Sequence, residues 1–445
     1  MNALEMLTRS GTVGAGGAGF PTHVKLSSTV EVLIANAAEC EPLLHTNQEL
    51  LKRDAGSVVA GLLAAAELVQ AKRMAIAIKT KYKEPIASLQ AALRLAGDPP
   101  VEIALLPDFY PVGDEHVIVS EVTGRIVPEA GLPLDVGVVV QNVETLANIA
   151  AALRGQAVVD KWVTVTGAVR QPQTVITPVG TSIADLVAAA GGATVPDWVV
   201  IDGGPMMGQV ITDPEQPITK TTSGLVLLPR EHPAAGRRLL DVEVEARRAR
   251  TSCIRCQLCT DLCPRYNEGH DLRPHQVMQS LALFPPDDAV YDQAWLCSEC
   301  GVCEVFACPM GLSPRRVLAN LKREFGVAGR RYQRKPKNYG PRPWAKERRV
   351  TGKRLLMLLG LADYDRPAPF VEEPVRPKAV TLLLRQHAGL PASPVVRSGE
   401  RVKRGQLVAE VPEGKLGAPV HASLDGVVTE VTEGWIRIRE VSEDA

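Results

Sequence analysis

The sequence predicts a multidomain α/β protein with a cysteine-rich segment in its second half, and three observations carry that expectation. The 445 residues hold 50 Lys+Arg against 50 Asp+Glu, 45% hydrophobic residues and only 4% aromatic ones. That length calls for roughly three or four domains whose cores are built from Ala, Val and Leu. Short apolar strands alternate with apolar helices through the first third of the chain, and eight of the nine cysteines fall between Cys253 and Cys308. A formal charge of zero gives no global case for a nucleic-acid partner. No stretch reaches the ~18 uninterrupted apolar residues of a spanning helix. The start, MNALEMLTRS, lacks the basic and apolar regions of a signal peptide, so the expected setting is the cytoplasm.

The first ten residues read as a helix. Gly11 to Lys25, GTVGAGGAGFPTHVK, then contain Gly14-x-Gly16-x-x-Gly19, formally a dinucleotide fingerprint but placed after a helix instead of a strand. Five glycines between Gly11 and Gly19 let backbone N–H groups approach a phosphate, and Lys25 adds charge. A flexible linker is the plain alternative. Next come a strand at Val32 to Ala35, a helix at Val58 to Val69, a strand at Met74 to Ile78, a helix at Pro85 to Leu95 and a strand at Val101 to Leu106. Ligands of such sheets sit at the carboxyl ends of strands, where Asn36, Glu39 and Glu41, and later Tyr110, Gly113, Asp114 and Glu115, fall. Four carboxylates there suit ribose or ribityl hydroxyls, or a nicotinamide, as well as a solvated acidic rim. Alternation from Trp162 to Val169 and a helix at Ile183 to Ala190 predict a further strand–helix unit, with Met206 and Met207 as packing residues.

The cysteines lie in two runs. One is Cys253-x2-Cys256-x2-Cys259-x3-Cys263-Pro264, the other Cys297-x2-Cys300-x2-Cys303-x4-Cys308-Pro309. In a chain without an export signal, metal ligation is the better reading than disulfides. Three closely spaced thiolates wrap a cubane, while the Cys that precedes Pro reaches across to the other cluster of a two-cluster fold. The expected [4Fe-4S] ligand sets are therefore Cys253, Cys256, Cys259 and Cys308 for one cluster, and Cys297, Cys300, Cys303 and Cys263 for the other. Paired zinc sites would leave the third Cys of each run and both Cys-Pro pairs unexplained. Two such clusters form a wire that needs a donor and an acceptor.

Between Arg330 and Arg354 there are 11 basic residues and one acidic one, interrupted by Pro336, Tyr339, Pro341 and Trp344. Such a proline-broken run is expected to lie as a strap across an acidic surface of its own protein or a partner. From Val380 onward, short alternating strands with Gly399, Gly405, Gly417 and Gly426 at turns look like a biotinyl/lipoyl-type barrel-sandwich hybrid. Lys415 lacks the flanking Met pair of carrier domains, so the expected role is structural or docking.

Gly16-Gly-Ala-Gly-Phe-Pro-Thr22 with Lys25, Asn36-Ala-Ala-Glu-Cys-Glu-Pro42 and Gln141-Asn-Val-Glu-Thr145 together resemble the flavin-binding subunit of respiratory complex I and the C subunit of the Rnf complex. The resemblance implies an FMN held by Gly14, Gly16, Gly17, Ala18 and Lys25, by a second wall of Asn36, Glu39 and Cys40, and by a third of Asn142 and Thr145. It implies NADH stacked or oriented by Phe20, Glu41 and Glu115. Ala15 stands where complex I flavin subunits have Arg, which removes a charged contact. Val163 to Gly167, Gly180 to Leu186 and Asp202 to Gly208 are similar to the β-grasp module called SLBB.

In the Rnf C subunit the barrel-sandwich module precedes the flavin domain, whereas here it comes last. That order, with CPRYNEGH and CEVFACPMGLSP at the clusters, resembles the cobalamin reductases of propanediol-utilising bacterial microcompartments. The expected organisation is a Rossmann-like FMN and NADH domain over 1–155, an SLBB β-grasp domain over 156–232, a helical ferredoxin-like two-cluster domain over 233–328, a basic linker over 329–377 and a barrel-sandwich hybrid over 378–445. The implied function is electron transfer from NADH through FMN and two [4Fe-4S] clusters to cobalamin inside a microcompartment. An adenosyltransferase and a shell protein are the implied partners. An Rnf-like subunit that admits electrons from NADH toward ferredoxin, or a non-enzymatic relay docked to a shell protein, are the alternatives.

Overall fold

A computed structural model describes residues 2–281, 288–334 and 337–441. Its first sheet is built of β1 (Val32–Asn36), β2 (Arg73–Lys79), β3 (Val101–Leu106) and β4 (Val138–Asn142), all parallel in the order β3-β2-β1-β4. The strands are apolar on both faces because both are covered. Leu33, Ala35, Ile76 and Val139 pack on helices Thr46–Leu68, Lys83–Leu95 and Val143–Leu153, while Val32, Ile34, Val138 and Val140 pack against Phe109 and helix Glu115–Thr123. The helix expected from Val58 starts 12 residues earlier, at Thr46. Its first turns are polar (TNQE) and so carry no apolar signature, and Asp54, at φ −138° and ψ 46°, marks a kink before the apolar run. Gly61 lets this helix meet helix Val143–Leu153: a Cβ there would stand 1.8 Å from the Leu146 carbonyl oxygen.

The second sheet is a five-stranded grasp. It comprises β5 (Asp160–Gly167), β6 (Gln173–Pro178), β7 (Trp198–Asp202), β8 (Gln209–Ile211) and β9 (Gly224–Pro229), ordered β6-β5-β9-β7-β8, with helix Ile183–Ala189 packed on it. Short helices then carry the cysteines, between helices Val242–Ser252 and Pro314–Val327. The C-terminal module folds as two small sheets around one core. Strands β10 (Ala379–Leu383), β12 (Arg401–Val402), β15 (Gly426–Val431) and β16 (Trp435–Glu440) form one, and β11 (Ser393–Pro394), β13 (Leu407–Glu410) and β14 (Val420–His421) the other.

The basic run is a strap on the protein's own acidic surface. Arg334 pairs with Asp135 at 2.8 Å, Lys337 with Glu129 and Asp271 at 2.9 Å each, Arg342 with Asp271 at 3.2 Å, and Arg349 with Glu121. These carboxylates come from both the flavin-type sheet unit and the cysteine segment, so the strap joins the two. The C-terminal module docks on both preceding units. Its Ala388 N–H donates to Gly19 C=O at 2.9 Å, and Thr381 N–H donates to Gly180 C=O at 2.9 Å. Lys220 holds the seam, donating to the Gly11 and Pro419 carbonyls at 2.8 and 2.9 Å. Among the described residues, no helix is long and apolar enough to cross a membrane.

Candidate functional site

The parallel register sets Asn36 beside Asn142 at the carboxyl ends of β1 and β4. The glycine loop closes on itself in front of them, with Gly14 N–H donating to Phe20 C=O at 2.9 Å and Gly19 N–H to Gly14 C=O at 3.2 Å. Ala15 N–H donates to Thr145 Oγ1 at 2.9 Å, and Gly16 is so near Asn142 that a Cβ would stand 3.3 Å from its Nδ2. Among the described residues, the N–H groups of Gly16, Gly17 and Ala18 have no protein acceptor, and all three residues are exposed. Gly17 has φ +114° with open space beyond it. A cradle of free, outward N–H groups on glycines is the feature a flavin phosphate requires, so the loop fits FMN.

Beneath the loop lies a pair that sequence reasoning missed. Lys161 and Glu144, 1% and 3% exposed, form a buried ion pair. Lys161 Nζ also donates to Ala15 C=O at 3.2 Å, and Glu144 accepts Trp162 N–H at 3.2 Å. A signal was present: the alternation of β5 places Lys161 on the face of Val163 and Val165, where a lysine needs a buried partner.

The carboxylates expected around one ligand are distributed to protein partners instead. Glu39 accepts the N–H groups of Asn47 (3.0 Å) and Gln48 (3.4 Å) in the first turn of the long helix, and burial pushes its pKa up to about 7 despite those bonds. Glu41 accepts Met206 and Met207 N–H at 2.9 and 3.0 Å, which ties the sheet unit to the grasp. Asp114 caps helix Glu115–Thr123 and grips Arg265 bidentately at 2.7 and 2.9 Å; burial raises its pKa, but Arg265 more than offsets this and holds the carboxyl below its usual range. Glu115 pairs with Lys25 at 2.7 Å in an exposed bridge beside the loop. The commitments of Glu41 and Asp114 arise because the neighbouring units press against the rim, a long-range fact that local sequence does not carry, whereas those of Glu39 and Glu115 are made within the sheet unit. Asn36 Nδ2 donates to Gly113 C=O at 2.9 Å, Gly113 abuts the Cys40 thiol, and Phe20 stands exposed at the lip. Burial and Glu41 push the Cys40 pKa up to about 12.

The cysteines converge in the two expected sets. Cys253, Cys256, Cys259 and Cys308 line one cavity. In the other, burial and then Cys297, Cys300 and Cys263 push the Cys303 thiol well above its usual range, with a smaller push from Cys259 of the first set. All nine cysteines are free. Arg255, Gln257 and Glu299 take left-handed φ of 57°, 66° and 61°. Glu299 N–H donates to Cys297 Sγ and Leu312 N–H to Cys308 Sγ, both at 3.3 Å. Convergent thiols with backbone donors on sulfur fit cubane ligation. The two sets differ in exposure: Cys263, Cys297, Cys300 and Cys303 are buried, whereas Cys256 is exposed and its set-mates are half-buried. The buried set touches the flavin-type unit directly, through Tyr110 O–H donating to Cys300 C=O at 2.7 Å.

Family models match in the same order. They are the Nuo51 FMN-binding domain (residues 7–151), the SLBB domain (162–210), a 4Fe-4S dicluster domain (252–313) and the RnfC barrel sandwich hybrid domain (368–441). In the solved NAD+-reducing [NiFe]-hydrogenase in its H2-reduced state, one chain is similar in fold at a TM-score of 0.50 and 24% identity, covering 76% of this chain and 63% of that one. Fold, loop and cysteine sets define a flavin and iron–sulfur oxidoreductase. The cobalamin reductases PduS of Salmonella typhimurium and Citrobacter freundii are each 46% identical to this chain, over 98% of it and 95% of their own length. The chain belongs to the PduS cobalamin reductase family. The C subunit of the ion-translocating oxidoreductase complex of Salmonella arizonae is 34% identical over 62% of this chain and 39% of its own length.

Proposed function

We propose that this chain oxidises NADH and delivers the electrons to the cobalt of a corrinoid. FMN, when bound, converts a two-electron hydride into single electrons, and [4Fe-4S] clusters carry electrons one at a time. Gly16, Gly17 and Ala18 hold the flavin phosphate with free N–H groups, and Lys161 and Thr145 fix the loop from below. Asn36, Glu39, Cys40, Gly113 and Asn142 wall the flavin at the strand ends, while Phe20, Lys25 and Glu115 stand at the exposed lip where a nicotinamide can enter. Glu41, Tyr110 and Asp114 act at the inner wall, where they bind the grasp and the cysteine loops to the flavin unit.

The observation that carries the direction of flow is the gradient of exposure. Cys263, Cys297, Cys300 and Cys303 are buried against Tyr110 at the flavin wall. Cys253, Cys256, Cys259 and Cys308 open outward beside exposed Ile254, Leu258 and Met310. Electrons entering at the flavin leave at that apolar mouth, where an acceptor can dock. The full-length likeness to cobalamin reductases supports a corrinoid as the acceptor. On the same ground we place the protein in a bacterial microcompartment, with a shell protein as anchor and an adenosyltransferase as consumer of the reduced corrinoid.

The test is an anaerobic reaction of the reconstituted protein with NADH and hydroxocobalamin, with flavin, cluster and corrinoid spectra followed together. Bleaching of flavin with reduction of cobalt is expected. Bleaching with cobalt unchanged would mean that the acceptor is a ferredoxin-like protein, as in the Rnf-type reading.

A further inference from the structure

Where the residues after the first cysteine run meet helix Glu115–Thr123, they form with it a second donor set that neither FMN nor the cysteines use. His116, Glu268 and His270 bring one ligand atom each to within 4.8 Å of one another. His270 is 1% exposed and Glu268 8%. Three of their polar atoms, His116 Nδ1, Glu268 Oε1 and His270 Nδ1, are buried without a protein partner. Burying such groups unpaired is costly, and native interiors rarely tolerate three together.

The remaining bonds show how the three are prepared. His270 Nε2 lies 2.8 Å from the Val127 carbonyl, so it carries the proton and leaves Nδ1 as a lone pair. The His116 ring is likewise hydrogen-bonded to the Gly131 backbone. Imidazoles oriented by a backbone carbonyl, with the other nitrogen bare, are the usual state of metal-ligating histidines. Burial, reinforced by Arg265, lowers the His116 pKa to about 3, and burial lowers that of His270 to about 4, so both rings are neutral at physiological pH. Glu268 Oε2 is held by Arg265 at 3.0 Å, leaving Oε1 free. Arg265 is itself neutralised by its bidentate pair with Asp114, and Glu121 and Glu129 stand nearby. Lys337, the other cation facing His270, is paired with Glu129 and Asp271 at 2.9 Å each, and burial raises the Glu268 pKa to about 7, so metal binding must displace the proton that carboxyl holds.

We propose that His116, Glu268 and His270 bind one divalent transition-metal ion, zinc by donor set, distinct from both cysteine sets. Two imidazoles and a carboxylate form a zinc set that solvent completes. Ligand atoms around one tetrahedral zinc lie about 3.4 Å apart, so small side-chain rotations close the site. His116 belongs to the first turn of helix Glu115–Thr123, whereas Glu268 and His270 follow the helix that begins at Pro264. The ion therefore cross-links the flavin unit to the segment carrying Cys263. It sits beside the Asp114–Arg265 pair and keeps the buried cysteine set pressed on the flavin wall.

The experiment loads the flavin- and cluster-replete protein with zinc, removes free metal by desalting, and measures zinc per chain together with its K-edge absorption. The expected result is one retained zinc with nitrogen and oxygen neighbours at about 2.0–2.1 Å and no sulfur shell near 2.3 Å. His116→Ala and Glu268→Gln are each expected to lose that zinc while keeping flavin and iron. The wild-type absorption spectrum decides the matter even if a variant folds poorly. No retained zinc, sulfur ligation showing that zinc has merely invaded a cysteine set, or undiminished zinc in both variants would overturn the proposal.

Discussion

Replacing Lys161 with Met tests the foundation of the flavin loop. The lysine is 1% exposed and pairs with Glu144, 3% exposed, while its remaining donor holds Ala15 C=O at 3.2 Å. Removing the cation leaves a carboxylate buried with only the Trp162 N–H as a partner. Breaking one side of such a pair costs about 3–5 kcal/mol. For a unit of this size that corresponds to a fall of roughly 10 °C in the temperature at which flavin is released. Because a multidomain chain has no single well-defined unfolding temperature, the flavin-release transition is the proper readout, followed by the rise in free FMN fluorescence on anaerobic heating. Burial already raises the pKa of Glu144. Without Lys161 the carboxyl takes up a proton in the folded variant that the unfolded chain releases near its ordinary value of 4.5. The deficit must then grow as pH rises above that value and shrink as the solution is acidified. Adding Glu144→Gln keeps an acceptor for Trp162 N–H, removes the buried charge and should restore most of the loss. A Lys161→Met variant that releases flavin with the wild type, or a double variant no better than the single one, would refute the reasoning.

Cys297→Ala should leave iron for one cubane instead of two and abolish acceptor reduction while flavin stays bound; iron analysis that still finds both clusters would show that Cys297 is not a ligand. Burial lowers the Lys220 pKa to about 7 from its ordinary value of 10.5, so the unfolded chain binds more protons than the folded one between those values. Stability should accordingly rise with pH from about 7 to about 10.5, and the difference between wild type and Lys220→Met, read by denaturant titration, should show that rise. Gly61→Ala puts a Cβ 1.8 Å from the Leu146 carbonyl oxygen and forces two packed helices apart; a loss of at least about 2 kcal/mol is expected, and an unchanged melt would count against that contact.

The architecture was legible wherever function needs residues close in sequence. The two cysteine runs carry their own spacing, and in the structure Cys308 lines one cavity with Cys253, Cys256 and Cys259 while Cys263, Cys297 and Cys300 all act on the Cys303 thiol. The glycine loop was legible for the same reason, since a dense run of small residues has few uses besides close approach to a ligand. The rim was not. Asp114 meets Arg265 across 151 positions and Glu41 meets Met206 across 165, and no local pattern marks either pair. These contacts, made where domains press together, turn what looks in sequence like an acidic ligand shell into the joints that hold the flavin wall against Cys300. The charge run at Arg330 to Arg354 lies between these cases. Its composition announced a strap, but which acids it would cover, Glu121, Glu129, Asp135 and Asp271, depends on the docking of units that themselves needed those joints. Electron transfer places its strictest demand on the distance between cofactors, and these joints, invisible in any local window, are the contacts that join the flavin unit to the grasp and to the cysteine segment. Weakening Asp114–Arg265 should slow reduction of the clusters more than reduction of the flavin.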